Sequence, residues 1–152
     1  MLIEALMLNN LVLRDAISED SIQLAALAEQ LGYPCSSVDV QRRITRYCNS
    51  KTSRIIVASM NGKVVGWASL EYIEHFYIDP YVEITGFVVD EEYRNLGIGK
   101  AILKEAEQWT KRIGVKILRL KSNKKRQEAH EFYKKNGFEI VKEQYAFKKC
   151  IG

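Results

Sequence analysis

Residues 83 to 103 read EITGFVVDEEYRNLGIGKAIL, and the most informative feature of this stretch is a pair of glycines, Gly97 and Gly99. They stand where a strand-like run and an acidic turn give way to an apolar helix pattern. Because glycine has no Cβ, backbone N–H groups at such a helix start can approach an anion closely. The stretch therefore predicts a strand, an anion-binding turn and a long helix, with an ordinary tight loop as the alternative.

The strand before the glycines has a fault in its alternation. Val82 and Ile84 have one parity, whereas Phe87 and Val89 have the other. One extra residue between the two pairs would bring all four side chains onto one face of the sheet, and Gly86 favours a β-bulge there. We therefore expect this strand to bend in its middle.

Two common phosphate-binding loops do not match the glycine pair. A Walker loop has Ser or Thr after its lysine, but Ala101 follows Lys100. A dinucleotide-binding turn has a third small residue where Ile102 stands. What remains is Arg-x-x-Gly-x-Gly from Arg94 onward, which would direct the amides of about Leu96 to Lys100 at one anion, with the helix dipole reinforcing them.

The rest of the chain supplies alternating strands and amphipathic helices. Strand patterns start at Leu11 and flank the hairpin turn Asn61-Gly62, and two further strands are predicted at 138–141 and 144–148. The order βααβββαβαββ predicts an α/β (α+β) fold with a mixed, mostly antiparallel sheet of about seven strands and with four helices. We expect one domain over residues 11 to 152, after an N-terminal extension of residues 1 to 10.

Composition excludes several classes of protein. No apolar run approaches the ~18 residues that span a membrane. The chain has three cysteines, at positions 35, 48 and 150 and without CxxC spacing, which favours a reducing cytoplasm over a disulfide framework. Two separated histidines predict no metal site. The basic run KSNKKR at 121–126 is short and lacks interleaved aromatics, so we expect no nucleic-acid partner.

Two segments together resemble a known enzyme family. The stretch from Glu83 to Leu103 resembles the coenzyme A-binding core of the GCN5-related N-acetyltransferases (GNAT). The pattern N-x5-A-x2-FY-x3-GF, from Asn123 to Phe138, resembles the second signature of that family. The predicted strand order is similar to that fold from Leu11 to Lys148. The chain departs at Glu91, where many members have proline, and at Asn95, where many have glycine, and neither change removes a needed donor.

The resemblance implies a binding site for acetyl-CoA. It places the pyrophosphate on the loop around Gly97 and Gly99, and the pantetheine arm along the strand before it, bonded to the backbone like an added strand. The cofactor contacts that it implies are Phe87, Val88, Val89, Arg94, Asn95, Leu96, Gly97, Ile98, Gly99, Lys100, Asn123 and Tyr133. Asn123 is equally explained as a turn former.

The resemblance also implies catalytic roles. Acetyl transfer from a thioester to an amine needs a group that removes a proton from the amine and a group that stabilises the leaving thiolate. Tyr133 matches the general acid of the family, with a core aromatic as the alternative. Glu83 matches a general base used in part of the family, and Glu71, Glu74 and water chains are its rivals.

The identity of the acetyl acceptor is left open by the sequence. In this fold the acceptor groove lies beside the first two helices, which here means the turn 31–37 and the loop 74–81. The candidate contacts are Tyr33, Glu71, Glu74, Tyr81 and Glu83, and their aromatic and acidic character suits a cationic small molecule or a peptide amine. The alternative is a catalytically inactive acetyl-CoA-binding sensor or regulatory module. Dimers are frequent in the family, so a homodimer stays open.

Overall fold

The computed structural model describes Leu2 and residues 8 to 152. The predicted N-terminal extension covers residues 1 to 10, and its positions 1 and 3 to 7 lie outside the described residues. The chain forms two compact units, one ending at Lys121 and one covering Ser122–Gly152. The prediction of a single domain over residues 11 to 152 stays a prediction.

From residue 11 onward, the first unit contains a five-stranded sheet and three helices. The strands are β1 (Leu11–Asp15), β2 (Ser53–Met60), β3 (Lys63–Ile73), β4 (Tyr81–Val89) and β5 (Leu118–Leu120). The helices are α1 (Ser21–Leu31), α2 (Ser37–Cys48) and α3 (Ile98–Arg112), with 3-10 turns at Ser18–Asp20 and Glu91–Tyr93. Strands β1 to β4 are antiparallel neighbours and β5 runs parallel to β4, which confirms the mixed, mostly antiparallel sheet.

Both faces of the sheet are covered by helices. Val57, Trp67 and Val88 form one cross-strand row. This row packs with Leu24 and Leu27 of α1 and with neighbouring α2 side chains. On the opposite face, Arg54 of β2 pairs with Glu105 of α3 at 2.8 Å. The α1/α2 layer and the α3 layer therefore enclose the sheet between them.

The hairpin between β2 and β3 follows its sequence signal. Met60 pairs with Lys63, so the connection has only Asn61 and Gly62 at its tip. Both residues have positive φ, 51° and 79°. That geometry matches the two-residue turn whose twist suits antiparallel strands.

The second unit holds one helix, α4 (Gln127–Lys135). The two strands predicted at 138–141 and 144–148 are wrong, because these residues form no strand, and the sheet in the described residues has five strands instead of about seven. Tyr145 and Phe147 are 91% and 95% exposed. Their alternation therefore buries no face in the described chain, and a strand without a paired edge or a buried face is not stable.

Candidate active site

The loop after β4 is held in place by its own charged side chains. The Asp90 carboxylate accepts a hydrogen bond from the Glu92 amide at 3.1 Å, which starts the 3-10 turn. The Arg94 guanidinium donates through Nε to the Val89 carbonyl at 3.1 Å, so it ties the loop back to the end of the strand. These bonds fix the direction in which the chain enters α3.

The start of α3 has the geometry of an anion-binding turn. Asn95 and Gly97 both adopt left-handed conformations, with φ of 63° and 86°. The first intrahelical bond there runs from the Ala101 amide to the Gly97 carbonyl at 3.1 Å. The amides of the first helical residues have no intrahelical acceptor, as at every helix N-terminus. They lie at the positive end of a helix dipole, where a phosphate group binds favourably.

A β-bulge interrupts β4 just before this loop. Ser69 pairs with Gly86 while Leu70 pairs with Ile84, so Thr85 is the extra residue. The Thr85 hydroxyl lies 2.7 Å from the Ser69 hydroxyl, which holds the bulge closed on the β3 side. The bulge that the alternation fault predicts is therefore present.

The bulge also marks the end of pairing between β4 and β5. The two parallel strands pair only over Val82–Ile84 and Leu118–Leu120. β5 has three residues and does not follow β4 beyond the bulge. Parallel strands that stop pairing in this way leave room for an extended ligand to run beside β4.

Two carboxylates lie opposite each other next to the bulge. Glu71 of β3 and Glu83 of β4 are direct cross-strand partners. Each has a cation nearby, since Arg46 Nη2 lies 3.5 Å from Glu71 and Lys121 Nζ lies 3.4 Å from Glu83. Like charges at opposed positions are destabilising unless they are compensated, and the two cations supply that compensation.

Tyr47 of α2 connects this acidic pair to the bulge. Burial and the negative charge of Glu71 raise the pKa of Tyr47, against the opposing effect of a hydrogen bond with Thr85. Its hydroxyl therefore stays protonated at neutral pH and lies among the polar groups of Glu71 and Thr85.

A cavity of about 570 Å³ lies between α1, α2 and the sheet. That size is typical of small-molecule sites. Its wall is mostly apolar, with an α1–α2 turn at one side, aromatic rings and a few polar groups. The residues that line it are Leu24, Ala28, Gly32, Tyr33, Pro34, Cys35, Asp39, Val40, Arg43, Ile44, Tyr47, Ile55, Trp67 and Ser69.

The ring of Trp67 forms the sheet side of the cavity. It packs over Gly86, where an added Cβ would lie 2.8 Å from the Trp67 Cζ3 atom. The Trp67 Nε1 donor is buried and has no hydrogen-bond partner in the described part of the chain. Gly86 therefore has a second role beside the bulge, since the absence of a Cβ leaves room for the Trp67 ring.

The predicted acceptor-site residues are only partly gathered at the cavity. Tyr33 lines it, Glu71 interacts with its Tyr47 wall, and Glu83 is the cross-strand partner of Glu71. Tyr81 is 7% exposed, with the Arg119 guanidinium 4.6 Å from its ring centroid, and it does not line the cavity. Glu74 also lies outside the cavity wall, in the loop after β3.

Sequence reasoning missed most of the cavity wall, including the residues that give it its charge and aromatic character, Arg43, Tyr47 and Trp67. Arg43 and Tyr47 stand one helical turn apart, a spacing that places both on one face of α2. Trp67 precedes Glu71 by four positions in a strand and shares its face. These spacings could have found the residues, but only with the knowledge that this face of the sheet borders a cavity.

The predicted general acid, Tyr133, lies in α4 of the second unit. Its ring packs edge-on against Phe132 and Phe138, with centroid distances of 5.6 and 5.9 Å. Burial raises the pKa of Tyr133, although Arg126 opposes that effect. A phenol of this kind keeps its proton at neutral pH, as a general acid must.

Asn123, at the start of the second unit, forms a turn. Its side-chain oxygen accepts the Lys125 amide at 3.0 Å, and its backbone carbonyl lies 2.9 Å from His130 Nε2. The turn-former interpretation of Asn123 therefore describes its side chain in this structure, while its predicted cofactor contact stays a prediction.

Neither a metal-binding cluster nor a membrane span is found in the described residues. Within residue 2 and residues 8 to 152, no group of three or more His, Cys, Asp or Glu side chains is arranged to hold a metal ion. Among the helices of those residues, none is long and apolar enough to cross a membrane.

Comparison with known proteins identifies the family. Residues 21–138 match the acetyltransferase (GNAT) family. The chain is 32% identical over 96 residues to an aminoalkylphosphonate N-acetyltransferase of Salmonella typhimurium, a match that covers 62% of this chain and 61% of that protein. It is 34% identical over 85 residues to an uncharacterized N-acetyltransferase of Methanocaldococcus jannaschii, over 55% of this chain and 38% of the relative. The matches thus span less than two thirds of the length of each of these relatives.

The fold agrees with that of solved acetyltransferases. An aminoglycoside N-acetyltransferase in complex with CoA superposes with a TM-score of 0.81 at 15% identity, covering 91% of this chain and 94% of the other. At 15% identity this similarity shows a shared fold and nothing more. The family match covers the bulged strand, the left-handed turn and the start of α3, and by that match the chain belongs to the acetyltransferase (GNAT) family.

Proposed function

We propose that the protein is an acetyl-CoA-dependent N-acetyltransferase that transfers an acetyl group directly to a primary amine of a small molecule or peptide. The observation that carries the proposal is the turn at the start of α3, where left-handed Gly97 precedes a run of helical amides. It lies inside the segment that matches the family. A solved relative of the same fold binds CoA, which supports the same donor here.

The residues of this chain fit the donor in two places. The amides of Ile98, Gly99 and Lys100 would hold the pyrophosphate, as a helix N-terminus holds phosphate groups elsewhere. The β4 segment from Phe87 to Val89 would hold the pantetheine arm beside the strand. When bound, acetyl-CoA supplies an activated acetyl thioester.

Two side chains are proposed to handle the protons. The amine nitrogen bonds to the thioester carbon as the carbon–sulfur bond breaks, so one proton must leave nitrogen and the sulfur becomes a thiolate. Glu83, directly or through Glu71 and water, takes the proton from nitrogen, and Tyr133 donates a proton or a hydrogen bond to sulfur.

The names of the relatives support a small amine as acceptor. One acts on aminoalkylphosphonates and another on aminoglycosides, and both classes carry primary amines. The cavity beside α1 and α2 has a suitable volume. The odd number of cysteines supports a reducing compartment such as the cytoplasm.

A thiol-release assay tests the proposal. The full chain is incubated with acetyl-CoA and a panel of primary amines, and free CoA thiol is measured against a control without amine. We expect amine-dependent release with at least one acceptor, together with the acetylated amine in stoichiometric amount. If CoA binds but no amine increases thiol release, the protein is a binding module instead.

A further inference from the structure

The α2 wall of the cavity carries an arginine that forms no ion pair in the described residues. The helix has three arginines, at positions 42, 43 and 46. Arg42 lies 3.5 Å from Asp39, and Arg46 lies 3.5 Å from Glu71. Arg43 lines the cavity together with Asp39, one helical turn before it, and the two side chains interact electrostatically without forming an ion pair, since Asp39 is paired with Arg42. Its guanidinium is therefore available to a ligand.

One turn further along α2, the polar groups behind the cavity wall are acidic instead of basic. Tyr47 also lines the cavity, and its hydroxyl interacts with Glu71, the cross-strand partner of Glu83. Residues four apart in a helix are separated by about 6 Å along its axis. The cavity is thus bordered by a cation at one position and by an acidic pair behind Tyr47 at the next.

Apolar side chains fill the space between these polar groups. Val40 and Ile44 of α2, Leu24 and Ala28 of α1, and Ile55 of the sheet all line the cavity. Apolar walls with a few placed charges are typical of sites that recognise small molecules by shape and by one or two polar groups. The charges therefore decide which molecules are accepted.

We propose that this cavity selects acceptor amines that also carry an anionic group, such as a carboxylate or phosphonate, separated from the amine by an apolar spacer. Arg43 binds the anion, because a guanidinium pairs with carboxylate and phosphonate oxygens through two parallel hydrogen bonds. The Tyr47–Glu71–Glu83 side receives the amine, next to the carboxylate proposed as base. This inference rests on the proposed function and specifies its substrate class.

The test compares two probes that differ in the anion alone. Calorimetry measures the binding of 4-(aminomethyl)benzoate and of 4-methylbenzylamine to the full chain, with saturating CoA and without it. Arg43→Gln removes the proposed anion partner. Arg42→Gln is the matched control, since it removes the neighbouring arginine of the same helix, which does not line the cavity.

We expect the aminocarboxylate to bind at least ~10-fold more tightly than the plain amine, as charge-assisted hydrogen bonds of this kind typically give. Arg43→Gln should abolish that preference, whereas Arg42→Gln should retain it. Equal binding of the two probes, no saturable binding of the aminocarboxylate, or equal effects of both substitutions would overturn the inference.

The experiments distinguish failure of this inference from failure of the proposed function. Thiol release with amines that lack an anion, combined with no preference for the aminocarboxylate, leaves the enzyme and removes the inference. Binding of the aminocarboxylate through Arg43, without thiol release from acetyl-CoA for any amine, leaves the inference about the cavity and removes the catalytic function.

Discussion

Replacing Gly86 by alanine tests the packing of the bulge against the cavity wall. An added Cβ would lie 2.8 Å from Trp67 Cζ3, 3.0 Å from Trp67 Cη2 and 3.1 Å from Ser69 Oγ. Carbon atoms in contact are normally about 3.5–4.0 Å apart. The indole ring must therefore shift into the cavity, and overpacking of this kind typically costs about 1–3 kcal/mol of unfolding free energy.

A double-mutant cycle in urea measures this effect. Gly86→Ala should lower the free energy of unfolding by that amount, and Trp67→Leu should remove most of the added cost, because the shorter side chain vacates the contact. We expect a favourable coupling of about 1 kcal/mol or more between the two substitutions.

Gly66→Ala is the matched control for this cycle. Its Cβ would meet the Val88 carbonyl at 3.0 Å and Ile102 Cδ1 at 3.1 Å, on the α3 side of the sheet. Because these contacts do not include the Trp67 ring, its cost should depend much less on Trp67→Leu than the cost of Gly86→Ala does. Additive effects of Gly86→Ala and Trp67→Leu, or an unchanged stability of Gly86→Ala, would refute the reasoning.

Three further substitutions test the charges and proton donors. Burial alone would raise the pKa of Asp20, but hydrogen bonds from Arg14 and the Ile17 amide hold this pKa below its usual range. The carboxylate therefore contributes to the free energy of unfolding above the unfolded pKa of about 3.9, and this contribution is lost as pH falls through the lower folded pKa. Urea unfolding should show that Asp20→Asn costs about 2–3 kcal/mol at neutral pH and much less in acid, and a pH-independent difference would refute this. Glu83→Gln should slow acetyl transfer near neutral pH and recover at high pH, where free amine is abundant; a pH–rate profile parallel to that of the unaltered protein would assign the base elsewhere. Tyr133→Phe should lower the chemical rate by ~10²-fold without loss of CoA affinity. The control Tyr145→Phe, at a 91% exposed tyrosine, should have no effect. Equal single-turnover rates for the two variants would make Tyr133 a packing residue only.

Local patterns in the sequence predicted the frame of the site. The parity fault between Ile84 and Phe87 located the bulge, because a buried face tolerates no change of register. The Asn61-Gly62 pair located the hairpin, and Gly97 located the left-handed start of α3. In each case the physical cause acts within a few residues of the signal.

Features that depend on distant partners could not be predicted in the same way. The strand patterns near Tyr145 and Phe147 are regular, yet no edge in the described chain pairs with them. Asp20 stands just before α1, where the sequence alone indicates only an acid near a helix start, yet it is 3% exposed and binds Arg14 of β1 at 2.7 Å. Alternation and helix-end signals carry no information about which element lies opposite.

The same limit explains why the cavity wall was missed. Arg43 belongs to a helix whose three arginines look equally solvated in sequence. Their difference arises from the positions of Asp39 and Glu71, one of which lies on another element. The Arg42–Asp39 pair forms within α2, whereas the packing of α2 on the sheet brings Arg46 to Glu71, and Arg43 is left without an ion pair in the described residues.

The central claim, that the turn at the start of α3 binds the donor, is tested most directly by calorimetric titration of CoA into Gly99→Val. The control is Gln108→Val, which places the same β-branched side chain at an exposed position of the same helix. Circular dichroism should show that both variants are folded. We expect Gly99→Val to lose at least ~10-fold in CoA affinity, because its side chain obstructs the amides that contact the pyrophosphate, while Gln108→Val binds as the unaltered protein does. Unchanged CoA affinity in folded Gly99→Val would contradict the claim.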